Sequence, residues 1–323
     1  MPPALPDIPT EILTVTLNPS LDLATSAAEV RPGPKLRCEA PTVDPGGGGI
    51  NVARAIRILG GSATAFVAAA GPTGQRLLSL LGAERVPLAA FEGPGETRES
   101  LAVTDRSTGG QYRLVLPGPV WSRARAAAAL RAIVAAAAPG GFVILSGSQP
   151  PGLPDDFAAQ LSRRLARRRA RLILDTSGPA LRRMASPHEA PLFALRMDTE
   201  EAEDLAGRPL PTRKDSADFA QGLVRSGVSG MVIVARGGDG STLATDALRL
   251  HASGVAVPVV SSVGAGDSFL GAFTLALARG EDAGAALRKG SAAAASAVMT
   301  DATRLCTRAD AARLLSRVEL TEV

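Results

Sequence analysis

Aromatic side chains are scarce in this chain: one Trp, one Tyr and eight Phe make up 3% of 323 residues. A core of useful size must then come from aliphatic side chains and from small residues that let elements approach closely. A 46% hydrophobic share rich in alanine can supply both. The same scarcity bears on the charge, which is +4 overall with an isoelectric point near 9.6. Arg163, Arg164, Arg167, Arg168, Arg169 and Arg171 form a basic run without an aromatic for base stacking. It reads as the solvated face of a helix that buries Leu161 and Leu165, and no nucleic-acid partner is expected. Cysteine and histidine are nearly absent. Cys38 and Cys306 lie far apart, and His188 and His251 stand alone, so the spacing indicates neither a zinc site nor a disulfide framework. No uncharged apolar run reaches membrane length. The first residues, with Pro2, Pro3, Pro6, Asp7 and Glu11, lack the basic-then-apolar order of a signal segment, so a cytoplasmic protein with no membrane partner is expected. A Walker-type Gly-x4-Gly-Lys-Ser/Thr is also missing, so any ATP must be cradled in another way.

What is present is an alternation of short β-branched runs with helical patterns. Ile12 to Leu17 reads as a strand that delivers Asp22 to its C-terminal edge, where open α/β sheets bind ligands; simple solvation explains Asp22 equally well. Strands are predicted at Ala63–Ala70, Val86–Phe91, Phe142–Leu145, Leu172–Asp175 and Met231–Ala235. Helices are predicted at Thr73–Leu81, Ala124–Ala138, Asp155–Arg169 and Leu287–Met299. This rhythm implies a mainly parallel sheet with helices on both faces, in one domain over residues 1–323, since no internal repeat or interdomain linker interrupts it. Lys35 and Arg37, two apart on an extended stretch, suit a phosphate or a solvated edge. Ser146-Gly147-Ser148 follows a strand directly and fits either a tight turn or a ligand contact at Ser148. Arg236-Gly237-Gly238-Asp239-Gly240-Ser241 is explained by a hairpin turn.

Two glycine motifs carry the chemistry. Ser261-Ser262-Val263-Gly264-Ala265-Gly266-Asp267 joins an expected strand at Val255–Val260 to a helix with an apolar face of Phe269, Ala272, Phe273 and Leu275. Gly264 and Gly266 bare the backbone where a helix starts, so N–H groups without intrahelical partners can converge on an anion. Asp267 there can cap the helix or accept a proton. Upstream, Pro45-Gly46-Gly47-Gly48-Gly49-Ile50-Asn51 opens another helix. A flexible linker would not stop abruptly at a patterned helix. Bare peptide here admits a polyhydroxylated ligand, and Asn51 offers an acceptor and donors for its hydroxyls.

Together the motifs resemble the ribokinase-like (PfkB) carbohydrate kinases, and the likeness runs through almost the whole chain. It is also carried by Leu17-Asn18-Pro19-Ser20-Leu21-Asp22, Lys35-Leu36-Arg37-Cys38, Ser146-Gly147-Ser148 and Thr303-Arg304-Leu305-Cys306. The resemblance implies a three-layer α/β/α fold with a small β-sheet lid made from segments near 23–45 and 91–116, which covers the sugar and pairs with another subunit into a homodimer. It implies MgATP as phosphoryl donor and a sugar phosphate, fructose 6-phosphate, as acceptor at its 1-hydroxyl. Asp267 would be the base, with Gly264, Ala265 and Gly266 as the anion hole. Asp22, Gly46, Gly47, Asn51 and Ser148 would hold the sugar; Lys35, Arg98 and a partner's Arg37 would hold its phosphate. Nucleotide contacts would come from Arg196, Asp198, Arg236, Gly237 and Ser262.

Leu195-Arg196-Met197-Asp198-Thr199-Glu200-Glu201 departs from the family, which usually has Lys-Pro-Asn and Asn-x-x-Glu there. Asp198 and Glu201 remain oxygen ligands suited to Mg2+, or an acidic helix start. Arg196 keeps the charge of lysine without its point-like geometry. Arg304 and Ala302 stand where family members place K+, with Ala302 replacing a glycine. Members acting on fructose 1-phosphate or tagatose 6-phosphate commonly carry lysine where Gly48 stands. A sugar-phosphate-binding regulator without catalysis is the reading of another class.

Overall fold

The computed structural model describes residues 11–301 and 304–323. The readings at Pro2, Pro3, Pro6, Asp7, Ala302 and Thr303 lie outside the described residues. The described residues open on β1 (Ile12–Thr16), buried at every position, then leave the main body to lay down β2 (Ser20–Ala27) and β3 (Thr42–Gly46). Helix α1 (Gly48–Ile58) brings it back to β4 (Thr64–Ala69), α2 (Gly71–Ala83) and β5 (Leu88–Glu92). A second excursion forms β6 (Arg98–Asp105) and β7 (Gln111–Val115). Regular alternation follows through α3 (Arg123–Ala136), β8 (Phe142–Ser146), α4 (Phe157–Ala166), β9 (Arg171–Asp175), α5 (Gly178–Met184), β10 (Ala194–Asp198), α6 (Thr199–Ala206), α7 (Arg213–Arg225) and β11 (Val232–Ala235). The chain ends with β12 (Gly240–Ala244), β13 (Arg249–Ser253), α8 (Ala265–Ala278), α9 (Ala283–Ala297), α10 (Arg308–Leu315) and β14 (Leu320–Glu322).

The large sheet has the order β14-β13-β12-β11-β10-β9-β8-β1-β4-β5, parallel from β11 to β5 and antiparallel beyond β11. Successive strand residues point to opposite faces. Phe142 and Ile144 therefore join one core with α1, α2, α8 and α9, while Val143 and Leu145 join another with α3 to α7. With so few aromatics, closeness comes from small residues: a Cβ on Gly290 of α9 would stand 2.7 Å from the Phe269 ring of α8. The two excursions form the small sheet β3-β2-β6-β7, in which β2 and β6 pair in parallel from Ser20↔Arg98 to Ala27↔Asp105.

Two local expectations are corrected. Val255–Val260 is not a strand. Both edges of β13 are already taken by β12 and β14. Pro258 lacks a donor, and Val259 and Val260 stand 70% and 60% exposed. The arginine run is not one helix face either, because α4 stops at Ala166 and Arg169 turns the chain at φ 55°. Arg171, already in β9, lays its guanidinium over the Phe142 ring at 3.7 Å.

Candidate active site

Helix α8 begins at the C-terminal edge of the sheet. Gly264 caps it in the left-handed region at φ 76°, and a Cβ there would come 2.6 Å from Leu305 Cδ2. The first bond onto the helix runs from Ser268 N–H to the Gly264 carbonyl at 2.8 Å. The N–H groups of Gly266 and Asp267 have no partner among the described residues, so the positive end of the helix is free to meet an anion. Gly266 has a second use. A Cβ on it would stand 2.9 Å from Arg196 Nη2, so its absence lets that guanidinium lie against the helix start. Arg196 is held there by Asp175, at 2.9 Å.

Asp267 is half-buried beneath this start and accepts a 3.0 Å hydrogen bond from Asn51 Nδ2. Asn51 is itself oriented: its Oδ1 accepts from Arg54 Nη1 at 3.4 Å, and Arg54 is pinned by Glu84 at 2.7 Å. Burial pushes the Asp267 pKa up to about 7, Asp175 adds to this by repulsion, and the Asn51 bond and Arg196 offset part of it. A carboxylate poised near neutral pH suits proton abstraction.

The glycine run before α1 is constrained position by position. Cβ atoms at Gly46 and Gly48 would collide with the Asp22 carboxylate and with Ser146 Oγ. One at Gly47, where φ is 123°, would sit 2.6 Å from Thr16 Cγ2. Asp22 on β2 accepts from Ser20 Oγ at 2.6 Å; burial raises its pKa, against the pull of that bond and of Arg98 and Arg113. Asp22, Asn51, Arg98, Arg113, Gly264 and Asp267 share a cavity of about 390 Å³ between the small sheet and α8. Arg98 donates to the carbonyls of Leu116 at 3.1 Å and Asn18 at 3.3 Å. Its Nε is buried without a partner.

A second cavity of about 380 Å³ lies on the other side of the α8 start. It is mainly apolar and lined by Gly237, Gly238, Val257, Ala265 and Ala294. Ser262 borders both cavities, so the head of α8 stands between them. Asp198 and Glu201 form a reciprocal cap on α6: Asp198 Oδ1 accepts from Glu201 N–H at 2.8 Å, and Glu201 Oε2 from Asp198 N–H at 2.9 Å. Among the described residues no three His, Cys, Asp or Glu converge as a metal cage. The carboxylates suit an ion that keeps water and phosphate ligands, as Mg2+ does, because each has an oxygen beyond the capping bond.

Several predicted residues are not brought to the cavities. Lys35 and Arg37 lie exposed on the irregular stretch between β2 and β3, which is tied to β2 by an Ala27↔Cys38 bridge and a 2.7 Å bond from Thr25 Oγ1 to the Glu39 carbonyl, and neither lines the 390 Å³ cavity. Ser148 is exposed and accepts from Asn18 Nδ2 at 3.2 Å. Arg236 points away from the second cavity, its guanidinium held by Asp239 and main-chain carbonyls. Asp175, Arg54 and Arg113 were not singled out as site residues. Only Arg113, placed next to Gln111 and Tyr112 in an alternating strand, had a signal, since a cation on the lid's alternating pattern can face inward.

The sequence matches the pfkB family carbohydrate kinase description over residues 16–310. It is 40% identical over 313 residues to the ATP-dependent 6-phosphofructokinase isozyme 2 of Mycobacterium tuberculosis, spanning 97% of this chain and 91% of that one. The structure is similar to phosphofructokinase-2 from Escherichia coli in complex with fructose-6-phosphate, with a TM-score of 0.88 and 36% identity over 95% of this chain and 99% of that one. That relative has also been solved with potassium and in a tetrameric inhibited form. Arabidopsis thaliana ribokinase, at 19% identity and a TM-score of 0.73 over 95% and 99% of the two chains, shares the fold. Two glycine-opened helices meeting at Asn51 and Asp267, in a chain matched along nearly its whole length, place it in one family: it belongs to the pfkB family carbohydrate kinases.

Proposed function

We propose that this chain transfers the γ-phosphoryl group of MgATP to the 1-hydroxyl of fructose 6-phosphate. The observation that carries the reading is the head of α8 standing between two cavities, with Asp267 facing the one that holds cations and hydroxyl partners and Ala265 facing the apolar one. The sugar phosphate occupies the first, its hydroxyls on Asp22 and Asn51 and its 6-phosphate toward Arg98 and Arg113. ATP occupies the second, its base on the bare Gly237–Gly238 peptide. The sugar oxygen attacks the γ-phosphorus as the bond from that phosphorus to the β,γ-bridging oxygen breaks, and its proton passes to Asp267. Fructose 1,6-bisphosphate and ADP result. The unpaired N–H groups of Gly266 and Asp267, with Arg196 beside them, stabilise charge on the group in transit. Asp198 and Glu201 would hold Mg2+, which would neutralise phosphate charge.

The name of the 40% identical relative, a 6-phosphofructokinase, and the fructose-6-phosphate held by the Escherichia coli relative support fructose 6-phosphate over its isomers. The chain acts as one kinase unit, 1–323, in which the segments near 23–45 and 91–116 cover the sugar. A homodimer forms through the small sheet, whose β7 edge leaves Tyr112, Leu114 and Val115 49%, 55% and 61% exposed, and Lys35 and Arg37 serve the partner's site. The enzyme works in the cytoplasm. The deciding assay is ADP release with fructose 6-phosphate, fructose 1-phosphate and tagatose 6-phosphate in parallel. Fructose 6-phosphate should give the highest kcat/KM. Sugar-phosphate binding with no ADP release from any of the three would mean a regulator instead.

A further inference from the structure

The Gly237–Gly238 loop presents bare backbone to the second cavity, and a Cβ at either position would meet nothing within 4 Å. Its rear is braced by charges that do not reach the cavity. Arg236 Nε donates to Asp239 Oδ2 at 3.0 Å, Nη1 to the Leu210 carbonyl at 3.0 Å and to Ser216 Oγ, and Nη2 to the Pro211 carbonyl at 2.9 Å. Asp239 also accepts from Arg213 Nε, at 3.0 Å and 3.2 Å to its two oxygens. These partners, Arg213 first, hold its carboxyl down at about 2.

His251 closes the brace from β13. It is 1% exposed, and its Nε2 lies 3.0 Å from the Asp239 carbonyl while Nδ1 faces Thr242 Oγ1 at 2.9 Å. A carbonyl only accepts, so Nε2 carries the hydrogen, and in the neutral ring the Thr242 hydroxyl donates to Nδ1. Gly254 N–H shares the same carbonyl at 2.9 Å. The main-chain geometry of a three-residue 3-10 turn containing two glycines is thereby fixed from both sides.

Two glycines in a turn lose more backbone freedom on ordering than any other pair. If that loss fell at the binding step, the ligand would bind more weakly; a loop ordered in advance avoids it. We propose that Arg213, Arg236, Asp239 and His251 are positioning residues for the nucleotide, setting its affinity through the Gly237–Gly238 peptide without touching it. This rests on the assignment of the second cavity to ATP.

The test uses the full-length protein with Arg213→Met, Arg213→Lys and His251→Leu. Arg213 is 45% exposed on its side chain, so its replacement leaves no buried gap and the fold survives. For each variant, KM for MgATP, KM for fructose 6-phosphate and kcat are measured, together with the Kd of ADP by calorimetry without sugar. Arg213→Met should raise the MgATP KM and ADP Kd about threefold to tenfold and His251→Leu about tenfold to fiftyfold, while the sugar KM and kcat stay within about twofold. Arg213→Lys should recover part of the loss. Unchanged ADP affinity, or equal losses for both substrates, overturns the proposal while leaving the assignment of the cavity intact. A wild-type chain that binds neither ADP nor ATP overturns the assignment and the proposal with it.

Discussion

Burial raises the Asp267 pKa where the proposed reaction needs a base, and this works against the fold. Asp267→Asn should lower kcat by about two to four orders of magnitude with the Kd of fructose 6-phosphate little changed; full turnover in the variant would remove the base from the mechanism. Because the carboxylate must be ionised to accept a proton and its pKa is raised to about 7, kcat/KM should fall below neutrality, about tenfold per pH unit. The stability sign follows from the same shift. The native group holds its proton where the unfolded one, near 3.8, has lost it, so its contribution is full below about pH 4 and is lost as pH rises through 7. Asp267→Asn should therefore raise the unfolding free energy at pH 8 by about 1–3 kcal/mol and by much less at pH 4, readable from denaturant titrations at both. Asp267 and Asn51 were legible in the sequence because each follows a glycine run that only a ligand or close packing explains. Asp175 was not, since the final residue of a buried strand carries no local mark of the arginine it meets in the next strand. Arg54 was hidden in the same way, one more cation on an amphipathic helix until Glu84 and Asn51 close around it.

The order of elements follows from the alternation of β-branched and helical stretches, and most predicted strands stand within two residues of their observed bounds. Val255–Val260 failed because a β-branched run becomes a strand only where a neighbouring edge is open. The short β14, which takes that edge at β13, has the composition of a polar tail. The Asp198 to Glu201 stretch supported two readings, and the geometry shows the cap directly; the proposed metal role uses the carboxylate oxygens outside the cap. Asp198→Ala should then cost about 1 kcal/mol of stability by loss of the cap. It should also raise the Mg2+ concentration for half-maximal rate, and a change in stability alone would remove Asp198 from the metal site. At the head of α8, Gly266→Ala should lower kcat about tenfold to a hundredfold by displacing Arg196. The melting temperature should hardly move, and an equal fall in both would make Gly266 a packing residue only.

On the scale of the whole molecule, the exposed β7 edge is the surface to test. Tyr112→Asp, outside the sugar cavity, should shift sedimentation from dimer to monomer and raise the fructose 6-phosphate KM, because in the proposed dimer Lys35 and Arg37 serve the neighbour's site. A wild-type chain sedimenting as a monomer at micromolar concentration would remove both expectations. The parallel pairing of β2 with β6 has a consequence of its own. Each excursion can pair its own two strands, β2 with β3 and β6 with β7, but α1, β4, α2 and β5 lie between the two pairs in the chain, so they join into one sheet only once that intervening block has docked on β1. During synthesis the small sheet can be finished once β7 has emerged, while the helix bearing Asp267 arrives some 150 residues later. A ribosome-bound chain stopped between these points would thus display a roof of four strands over a sugar hollow still missing one wall, and its hydroxyl grip would precede any power to phosphorylate.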